Sequence, residues 1–282
     1  MPRIAVPLTV DDHRRDSAGM RYVYPVLSRR ARGVSIGINL NPNNACNWRC
    51  VYCQVPDLRR GGPPPLDLGL LAAEFGTFLE LLADPLESRK FAIPPGTRIA
   101  DIAFSGNGEP LSAPEFPEAV AVIDRVLAGR GLHRLMRRVI TNGSLVERIS
   151  ARRGLTALGA GQGEAWFKVD AGTAAGHLRI NGTRTTPATV LRRLRTCAGL
   201  CPTWVQTCMF ALDGEPPAEA ELASYLALLR EAAPAIAGVH LYGIARPSRQ
   251  AEAPRLAPLP KDWLEELAAR VAALGLPVTT NP

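Results

Sequence analysis

Residues 46–53 read Cys46-Asn47-Trp48-Arg49-Cys50-Val51-Tyr52-Cys53, three cysteines on one short stretch that follows the apolar run Ser35-Ile36-Gly37-Ile38-Asn39-Leu40. A four-iron four-sulfur cluster has four irons, each normally held by one Cys thiolate, so three ligands leave one iron open. An open metal position is where a substrate or cofactor binds, as in a catalytic zinc site. The stretch therefore predicts an iron–sulfur centre, against which the rest of the chain holds a cofactor and a substrate.

Two other uses of these cysteines are weaker interpretations. Structural zinc usually needs four ligands in paired spacings, and no CxxC or HxxxH partner follows at zinc-finger distance. A redox disulfide needs two cysteines in a thioredoxin-like context rather than three.

Length and cysteine content predict one soluble α/β domain. A chain of 282 residues fits a single α/β unit better than two, because α/β barrels commonly exceed about 200 residues. The six cysteines are most easily kept as thiols in a reducing cytoplasm. We find no targeting signal at the N-terminus and no apolar run near the ~18 residues of a membrane span. We therefore expect a cytoplasmic protein that does not cross a membrane.

The formal charge of +7 raises the possibility of nucleic-acid binding, because phosphate contacts are made by lysine and arginine. Nearly all of this charge is arginine, since lysine occurs only at Lys90, Lys168 and Lys261. The arginines are scattered apart from groups at 29–32, 137–138 and 192–195. Charge alone therefore leaves nucleic-acid binding open.

Apolar runs alternate with amphipathic stretches along the chain, which predicts parallel strands joined by helices. The predicted strands are 35–40, 99–104, 138–141, 166–170, 203–210 and 238–244, with a possible short strand at 277–280. Helices are predicted at 66–83, 114–127, from 187 to before 202, at 217–231 and at 260–274. This pattern predicts a partial (β/α)6 barrel over 35–250, after an N-terminal extension at 1–34 and before a C-terminal helix and strand at 251–282.

In such folds the chemistry gathers after the carboxyl ends of the strands. Ser105-Gly106-Asn107-Gly108-Glu109-Pro110 follows the second strand, where glycines allow close approach to a ligand and a carboxylate can pair with an ammonium group. Thr141-Asn142-Gly143-Ser144 follows the third strand. Each segment by itself is also compatible with an ordinary turn.

The fourth and fifth strands carry polar residues at two-residue alternation, which places them on one face. Lys168 and Asp170 on the fourth strand are usually an ion pair in such a position. Lys168 is also a candidate substrate contact, or an amine nucleophile if its pKa is depressed. Gln206 and Cys208 on the fifth strand are expected to line a substrate cavity. Arg246, after the sixth strand, either holds a carboxylate or phosphate or caps the loop.

The other three cysteines, Cys197, Cys201 and Cys208, are not expected to hold a second cluster. Cys208 lies seven residues beyond Cys201, about 20 Å along a strand at ~3.3 Å per residue. Cluster ligands must lie within a few ångströms of the irons. Buried thiols are therefore the preferred interpretation.

The CxxxCxxC pattern, with Tyr52 directly before its last cysteine, resembles the radical S-adenosylmethionine (radical SAM) superfamily. The resemblance implies that Cys46, Cys50 and Cys53 hold one four-iron cluster and that the bound cofactor is SAM. It also implies an enzyme that cleaves SAM reductively to a 5′-deoxyadenosyl radical, which abstracts hydrogen from a substrate. The residues implied to bind SAM are Tyr52, Gly106, Asn107 (in the place of the first glycine of a Gly-Gly-Glu segment), Gly108, Glu109, Asn142, Asp170, Gly243 and Ile244.

Within the superfamily, several segments look most like the branch related to wyosine (tRNA imidazoG37) synthases, which modify a guanosine beside the tRNA anticodon. These segments are Ser28-Arg29-Arg30, the first strand, Cys50-Val51-Tyr52-Cys53-Gln54, Gly108-Glu109-Pro110 and Thr141-Asn142-Gly143. Those enzymes hold a second cluster through upstream cysteines, whereas this sequence has no cysteine before Cys46. The resemblance also implies an electron donor such as a flavodoxin or ferredoxin. A non-catalytic iron–sulfur protein, for electron transfer or RNA binding, and a zinc-stabilised binding module remain the alternatives.

Overall fold

The structure is a computed structural model that describes residues 18–28, 33–90, 93 and 98–282. The arginine group at 29–32, and with it most of the Ser28-Arg29-Arg30 segment, lies outside the described residues. The helices of the described residues are α1 Leu68–Ala83, α2 Pro85–Lys90, α3 Phe116–Ala128, α4 Ile149–Gly159, α5 Ala174–Asn181, α6 Pro187–Ala198, α7 Glu219–Ala232 and α8 Lys261–Ala272. The strands are β1 Val23–Ser28, β2 Gly33–Ile38, β3 Ala45–Cys46, β4 Arg59–Arg60, β5 Ile99–Phe104, β6 Met136–Thr141, β7 Gly163–Lys168, β8 Thr203–Cys208, β9 Ala211–Leu212, β10 Gly238–Tyr242, β11 Leu256–Ala257 and β12 Val278–Asn281.

One eight-stranded sheet organises the fold, in the order β1-β2-β5-β6-β7-β8-β10-β12. From β2 onward every neighbouring pair is parallel and follows chain order. This is the arrangement of the predicted partial (β/α)6 barrel, since each helical crossover returns the chain to the next strand position. The carboxyl ends of these strands therefore meet at one edge of the sheet.

The outer face of the parallel strands packs against helices and is apolar, whereas side chains of the other face, such as Asp101, Arg138 and Lys168, line a cavity. In β2, every residue after Gly33 is buried. The outer face packs against helices through large side chains such as Phe75, Phe116 and Leu155, all with 0% exposure. The resulting apolar core extends from β1 to α8.

One strand of the main sheet, β1, was not predicted. β1 adds an antiparallel strand at the N-terminal edge, with Val23 opposite Ile38. β12 extends the other edge in parallel to β10, close to the predicted short strand. Helices α4 and α5 were also missed, because both are short and α5 is only weakly amphipathic. None of the helices in the described part of the chain is both long and apolar enough to span a membrane.

Candidate active site

One cavity of about 310 Å³ contains most of the predicted site residues. It is bounded by the cysteine loop (residues 39–60) and by the segments that follow β5, β6 and β10. The predicted residues that line it are Cys46, Cys50, Tyr52, Cys53, Gly106, Asn107, Gly108, Glu109, Asn142, Lys168, Gln206, Cys208, Gly243, Ile244 and Arg246. Asp170 is the exception, because it lines a neighbouring cavity of about 160 Å³. The tertiary fold therefore brings together residues up to 200 positions apart, between Cys46 and Arg246.

The cysteine loop is held in place by backbone contacts at both ends of the CxxxCxxC segment. β3 pairs with β4, so Cys46 lies opposite Arg60. The backbone N–H of Val51 donates to Ile180 O at 2.8 Å, and Ser248 Oγ donates to Val51 O at 2.7 Å. The loop is thus attached to α5 and to the segment after β10, two elements that come much later in the chain.

The three thiols of the loop suit a cationic iron–sulfur cluster. All six cysteines lie in the described residues, and none forms a disulfide. Burial raises the pKa of the Cys46 thiol to about 12, and burial also raises that of Cys50. Thiolates in such a place require a nearby metal charge, which is what a cluster supplies. Two N–H groups face these sulfurs: the Trp48 backbone N–H lies 3.4 Å from Cys46 Sγ, and Asn181 Nδ2 lies 3.3 Å from Cys50 Sγ.

Within the described residues, no group of three or more His, Cys, Asp or Glu side chains is arranged to hold a single metal ion. A four-iron cluster makes a different demand, because each thiolate binds its own iron and the sulfurs need not converge on one point. The donor set of the loop therefore fits the cluster that the resemblance implies.

The Gly106–Glu109 segment packs directly against the cysteine loop. A Cβ atom at Gly108 would lie 2.0 Å from Ala45 O and 2.7 Å from Asn41 Nδ2. Asn39 Oδ1 accepts the backbone N–H groups of Asn41 and Asn107, both at 3.1 Å. The glycine at 108 is thus required for contact between two protein segments, in addition to any approach to a ligand. The sequence-based interpretation named only the approach to a ligand.

Glu109 is 2% exposed and accepts hydrogen bonds on both carboxylate oxygens. Oε1 accepts from Thr141 Oγ1 and from the Leu111 N–H, and Oε2 accepts from the Asn142 N–H at 2.6 Å. Burial raises its pKa from 4.5 to about 7, although these three donors lower it. Glu109 therefore joins the segments after β5 and β6 and brings a titratable carboxyl group to the cavity wall.

Asn142 forms a small polar group with the cysteine loop. Its Nδ2 donates to Asn47 Oδ1 at 2.9 Å, and its Oδ1 accepts from Ser144 N and Oγ. Asn47 Nδ2 in turn donates to Ser144 Oγ at 2.7 Å. Since Asn47 lies between Cys46 and Cys50, this network fixes the segment after β6 to the predicted cluster ligands.

Lys168 occupies the cavity wall as a charged ammonium group. Its Nζ lies 2.6 Å from Tyr242 Oη and 3.4 Å from Asp170 Oδ1, and it lies over the rings of Tyr52 and Tyr242. Burial by itself lowers the pKa of Lys168, but Asp170 and the other contacts raise it above its usual value. The nucleophile hypothesis required a depressed pKa, so this condition is not met. The ion-pair interpretation agrees with the structure.

Asp170 lies two residues beyond the end of β7 and is 3% exposed. Besides Lys168, its carboxylate accepts hydrogen bonds from Tyr52 Oη, Asn181 Nδ2 at 2.9 Å and the Cys208 N–H at 3.0 Å. The contact with SAM that the resemblance implies for this carboxylate would have to be made in addition to these bonds. Asp170 connects the cysteine loop with β7 and β8.

The remaining candidates lie at different depths of the same cavity. Gln206 is 2% exposed, and its Nε2 has no hydrogen-bond partner in the described residues. Cys208 reaches the cavity at the end of β8, whereas Cys197 and Cys201 are buried at the start of that strand. Arg246 is half-buried at the cavity. Gln206, Cys208 and Arg246 can therefore all contact a bound molecule.

Sequence reasoning missed several residues that build the site. Asn39, Asn41 and Asn47 hold the loops together, Tyr242 contacts Lys168, and Asn181 donates to Cys50. A local signal existed only for the three asparagines, because they lie in the cysteine loop itself. Asn181 and Tyr242 reach the site through long-range contacts that no local pattern reports.

A scan against protein-family models and a search of curated proteins find no match. Among solved structures, the chain is similar to a radical SAM methyltransferase from Sphaerobacter thermophilus, with a TM-score of 0.60 and 16% identity over 92% of this chain and 68% of that one. It is also similar to polyhistidine-tagged anSMEcpe with bound AdoMet, with a TM-score of 0.56 and 16% identity over 87% of this chain and 63% of that one. At this identity the likeness concerns the fold. The chain has the radical SAM fold, which confirms the predicted fold class.

Proposed function

We propose that this protein is a radical SAM enzyme. Cys46, Cys50 and Cys53 would hold one four-iron cluster, and SAM would bind in the adjoining cavity. When bound, these groups supply one-electron cleavage of the C5′–S bond of SAM, which yields methionine and a 5′-deoxyadenosyl radical. The observation that supports this most strongly is that the three cysteines share one cavity with the Gly106–Glu109 and Asn142 segments.

The protein's own residues would position the cofactor and exclude water from it. Glu109 and Asn142 are fixed by hydrogen bonds to neighbouring segments, so their polar groups do not have to be ordered when a ligand binds. Lys168 and Gln206 lie on β7 and β8. Both line the cavity wall and can contact the substrate. Cys208 is a candidate for a catalytic role at the same wall.

The decisive experiment is anaerobic reconstitution with iron and sulfide, followed by addition of SAM and dithionite. We expect 5′-deoxyadenosine from the wild-type protein and none from Cys50→Ala. A reconstituted protein that keeps its cluster but forms no 5′-deoxyadenosine would favour the alternative, a non-catalytic iron–sulfur protein for electron transfer or RNA binding. A colourless protein that contains zinc would favour the binding-module alternative.

We further propose that a flavodoxin- or ferredoxin-type electron donor docks beside the cysteine loop in the cytoplasm. Four exposed arginines lie on or next to this loop: Arg49, Arg59, Arg60 and Arg249. Their charge is complementary to an acidic protein surface. Charge reversal at Arg59, away from the cavity, should slow reduction by such a donor and leave reduction by dithionite unchanged.

The finer substrate proposal is a tRNA nucleoside, as in the wyosine synthase-related branch. The resemblance of the Cys50–Gln54 and Gly108–Pro110 segments supports it. The four exposed arginines on or next to the cysteine loop support it too, because arginine binds phosphate. Comparing the modified nucleosides of total tRNA from a deletion strain and its parent tests it. Identical nucleoside profiles would exclude this substrate class.

A further inference from the structure

The end of α5 places the side chain of Asn181 against a predicted cluster ligand. Thr173 caps the start of this helix by accepting the Gly176 N–H at 2.9 Å, and Gly182 ends it in a left-handed conformation with φ of 64°. A residue with a Cβ would be strained at that φ. The backbone N–H of Arg49 donates to Asn181 O at 3.1 Å, which fixes the helix end beside the CxxxCxxC segment.

Asn181 is completely buried, and all of its amide atoms have partners. Nδ2 lies 2.9 Å from Asp170 Oδ2 and 3.3 Å from Cys50 Sγ, while Oδ1 lies 3.3 Å from His177 Nδ1. An amide nitrogen has two hydrogens, so Asp170 Oδ2 and Cys50 Sγ can each receive one.

The orientation of this amide follows from its neighbours. A carboxylate only accepts hydrogen bonds, so the atom facing Asp170 must be the nitrogen. Burial lowers the pKa of His177, which favours the neutral ring, and Nδ1–H can then donate to Asn181 Oδ1. With the nitrogen fixed toward Asp170, its second hydrogen is available to Cys50 Sγ.

We propose that Asn181 is a positioning residue that donates a hydrogen bond to the Cys50 thiolate and raises the reduction potential of the cluster. This inference rests on the proposed iron–sulfur function. Reduction adds negative charge to a cluster held by thiolates, and a donor to a ligand sulfur stabilises the more negative form. Asp170 fixes the donor, and Lys168 pairs with Asp170. The same network therefore links the cavity wall to a cluster ligand.

The test is a redox titration of the reconstituted cluster, followed by electron paramagnetic resonance without SAM. Asn181→Leu keeps a similar volume but removes the donor, and we expect about a tenfold shift in the reduction equilibrium toward the oxidised cluster, or about 59 mV for one electron. Asn181→Ser, which keeps a small donor, should show a smaller shift. Ile180→Ala is the matched control, because it loosens the packing of the same helix end and leaves the amide intact.

An Asn181→Leu protein with full iron content and the wild-type potential would overturn the proposal. If that variant does not retain iron, the redox titration is replaced by pulsed electron paramagnetic resonance of protein labelled with 15N in its asparagine side chains. The spectrum of wild type minus that of Asn181→Ser isolates position 181, and the absence of a nitrogen coupling in this difference would equally overturn the proposal. Because SAM is absent from both measurements, a potential shift without any SAM cleavage would contradict the proposed enzyme activity and leave this inference intact.

Discussion

The chain contains two groups of three cysteines, and they occupy different environments. In each group the first two cysteines are four residues apart, at 46 and 50 and at 197 and 201. Burial raises the pKa of Cys46, Cys197 and Cys201 to about 12 in each case. Neither the spacing of the first pair nor the shifted pKa therefore distinguishes a predicted ligand from a core thiol.

The position relative to the sheet separates the three loop cysteines from Cys197 and Cys201. All three cysteines of the loop line the cavity at the carboxyl ends of the strands, whereas Cys197 and Cys201 pack in the apolar core at the start of β8. Thr203 Oγ1 lies 3.5 Å from Cys197 Sγ and 2.7 Å from Cys201 O, so this pair belongs to a helix-to-strand connection. Cys208 of the second group also reaches this cavity, but it does so from β8. The comparison therefore favours a metal centre only where three thiols of one loop share the cavity.

The largest expected effect is the difference in iron content between a variant that lacks a loop cysteine and a variant that lacks a cysteine of the second group. Cys50→Ala should lower the iron content after reconstitution from about four per chain to below about one, because the cluster loses a ligand. Cys201→Ala should keep the wild-type iron content. Iron and sulfide assays with absorbance spectra measure both, and circular dichroism confirms folding. Loss of iron in a folded Cys201→Ala protein would mean that the second group also binds metal.

Glu109 makes the cavity beside the first group pH-sensitive. Its folded-state pKa, about 7, exceeds the ordinary value of 4.5, so the folded protein binds more protons and the free energy of unfolding falls as pH rises between these values. This component is about 3 kcal/mol. The Glu109→Gln variant lacks this pH-dependent component. The free energy of unfolding of wild type, relative to that of the variant, should therefore fall by about 3 kcal/mol from about pH 4 to about pH 8.

Urea unfolding of the metal-free protein at several pH values measures this difference. Glu118→Gln is a suitable control, because the Glu118 side chain on α3 is 44% exposed. A constant difference between wild type and Glu109→Gln over this pH range would show that the pKa of Glu109 is not raised in the folded protein.

Gly108 tests the contact between the cysteine loop and the segment after β5. In Gly108→Ala the new Cβ would meet Ala45 O and the Asn41 amide, and relief requires movement of backbone. We expect a loss of about 2 kcal/mol of stability and weaker SAM binding. Gly62→Ala, two residues after the cysteine loop and with no atom within 4 Å of its Cβ, should have little effect. Equal stabilities of the two variants would show that the loops do not pack so closely.

The smallest effect is expected from Cys197→Ala. The thiol is completely buried on α6 and contacts Thr203, so its removal should cost about 1 kcal/mol of stability and leave the iron content unchanged. Thermal unfolding measures the stability. A much larger loss, at unchanged iron content, would indicate that Cys197 has a structural role beyond packing.

Much of the fold was predictable because its signals are local. The six parallel strands were located from apolar runs, and the polar segments after β5 and β6 were expected to meet because parallel strands end at one edge. β1 was missed because it lies at a sheet edge and pairs antiparallel, before the strand–helix repeat begins. The predicted strands ended two residues too late at β7, β8 and β10, where the chain already turns into the site. The prediction for β7 also began three residues too late.

The site was predictable only in part, for a related reason. Asp170 was placed on the face of Lys168, which agrees with their ion pair, but the bonds from Tyr52, Asn181 and Cys208 to Asp170 could not be inferred from alternation. The raised pKa of Lys168 also depends on Asp170 and Tyr242, groups whose distance is set by packing.

The sequence by itself determined that three thiols lie on one loop, because few covalent bonds separate them along the chain. It also determined the repeat of strands and helices, because hydrophobic periodicity is a local property of the sequence. Only the tertiary structure decided which thiols share a cavity and which polar groups reach them. Asn181 is 131 residues from Cys50 in the chain and yet lies 3.3 Å from its sulfur. Such a contact exists only because the whole sheet and its crossovers place α5 beside the cysteine loop.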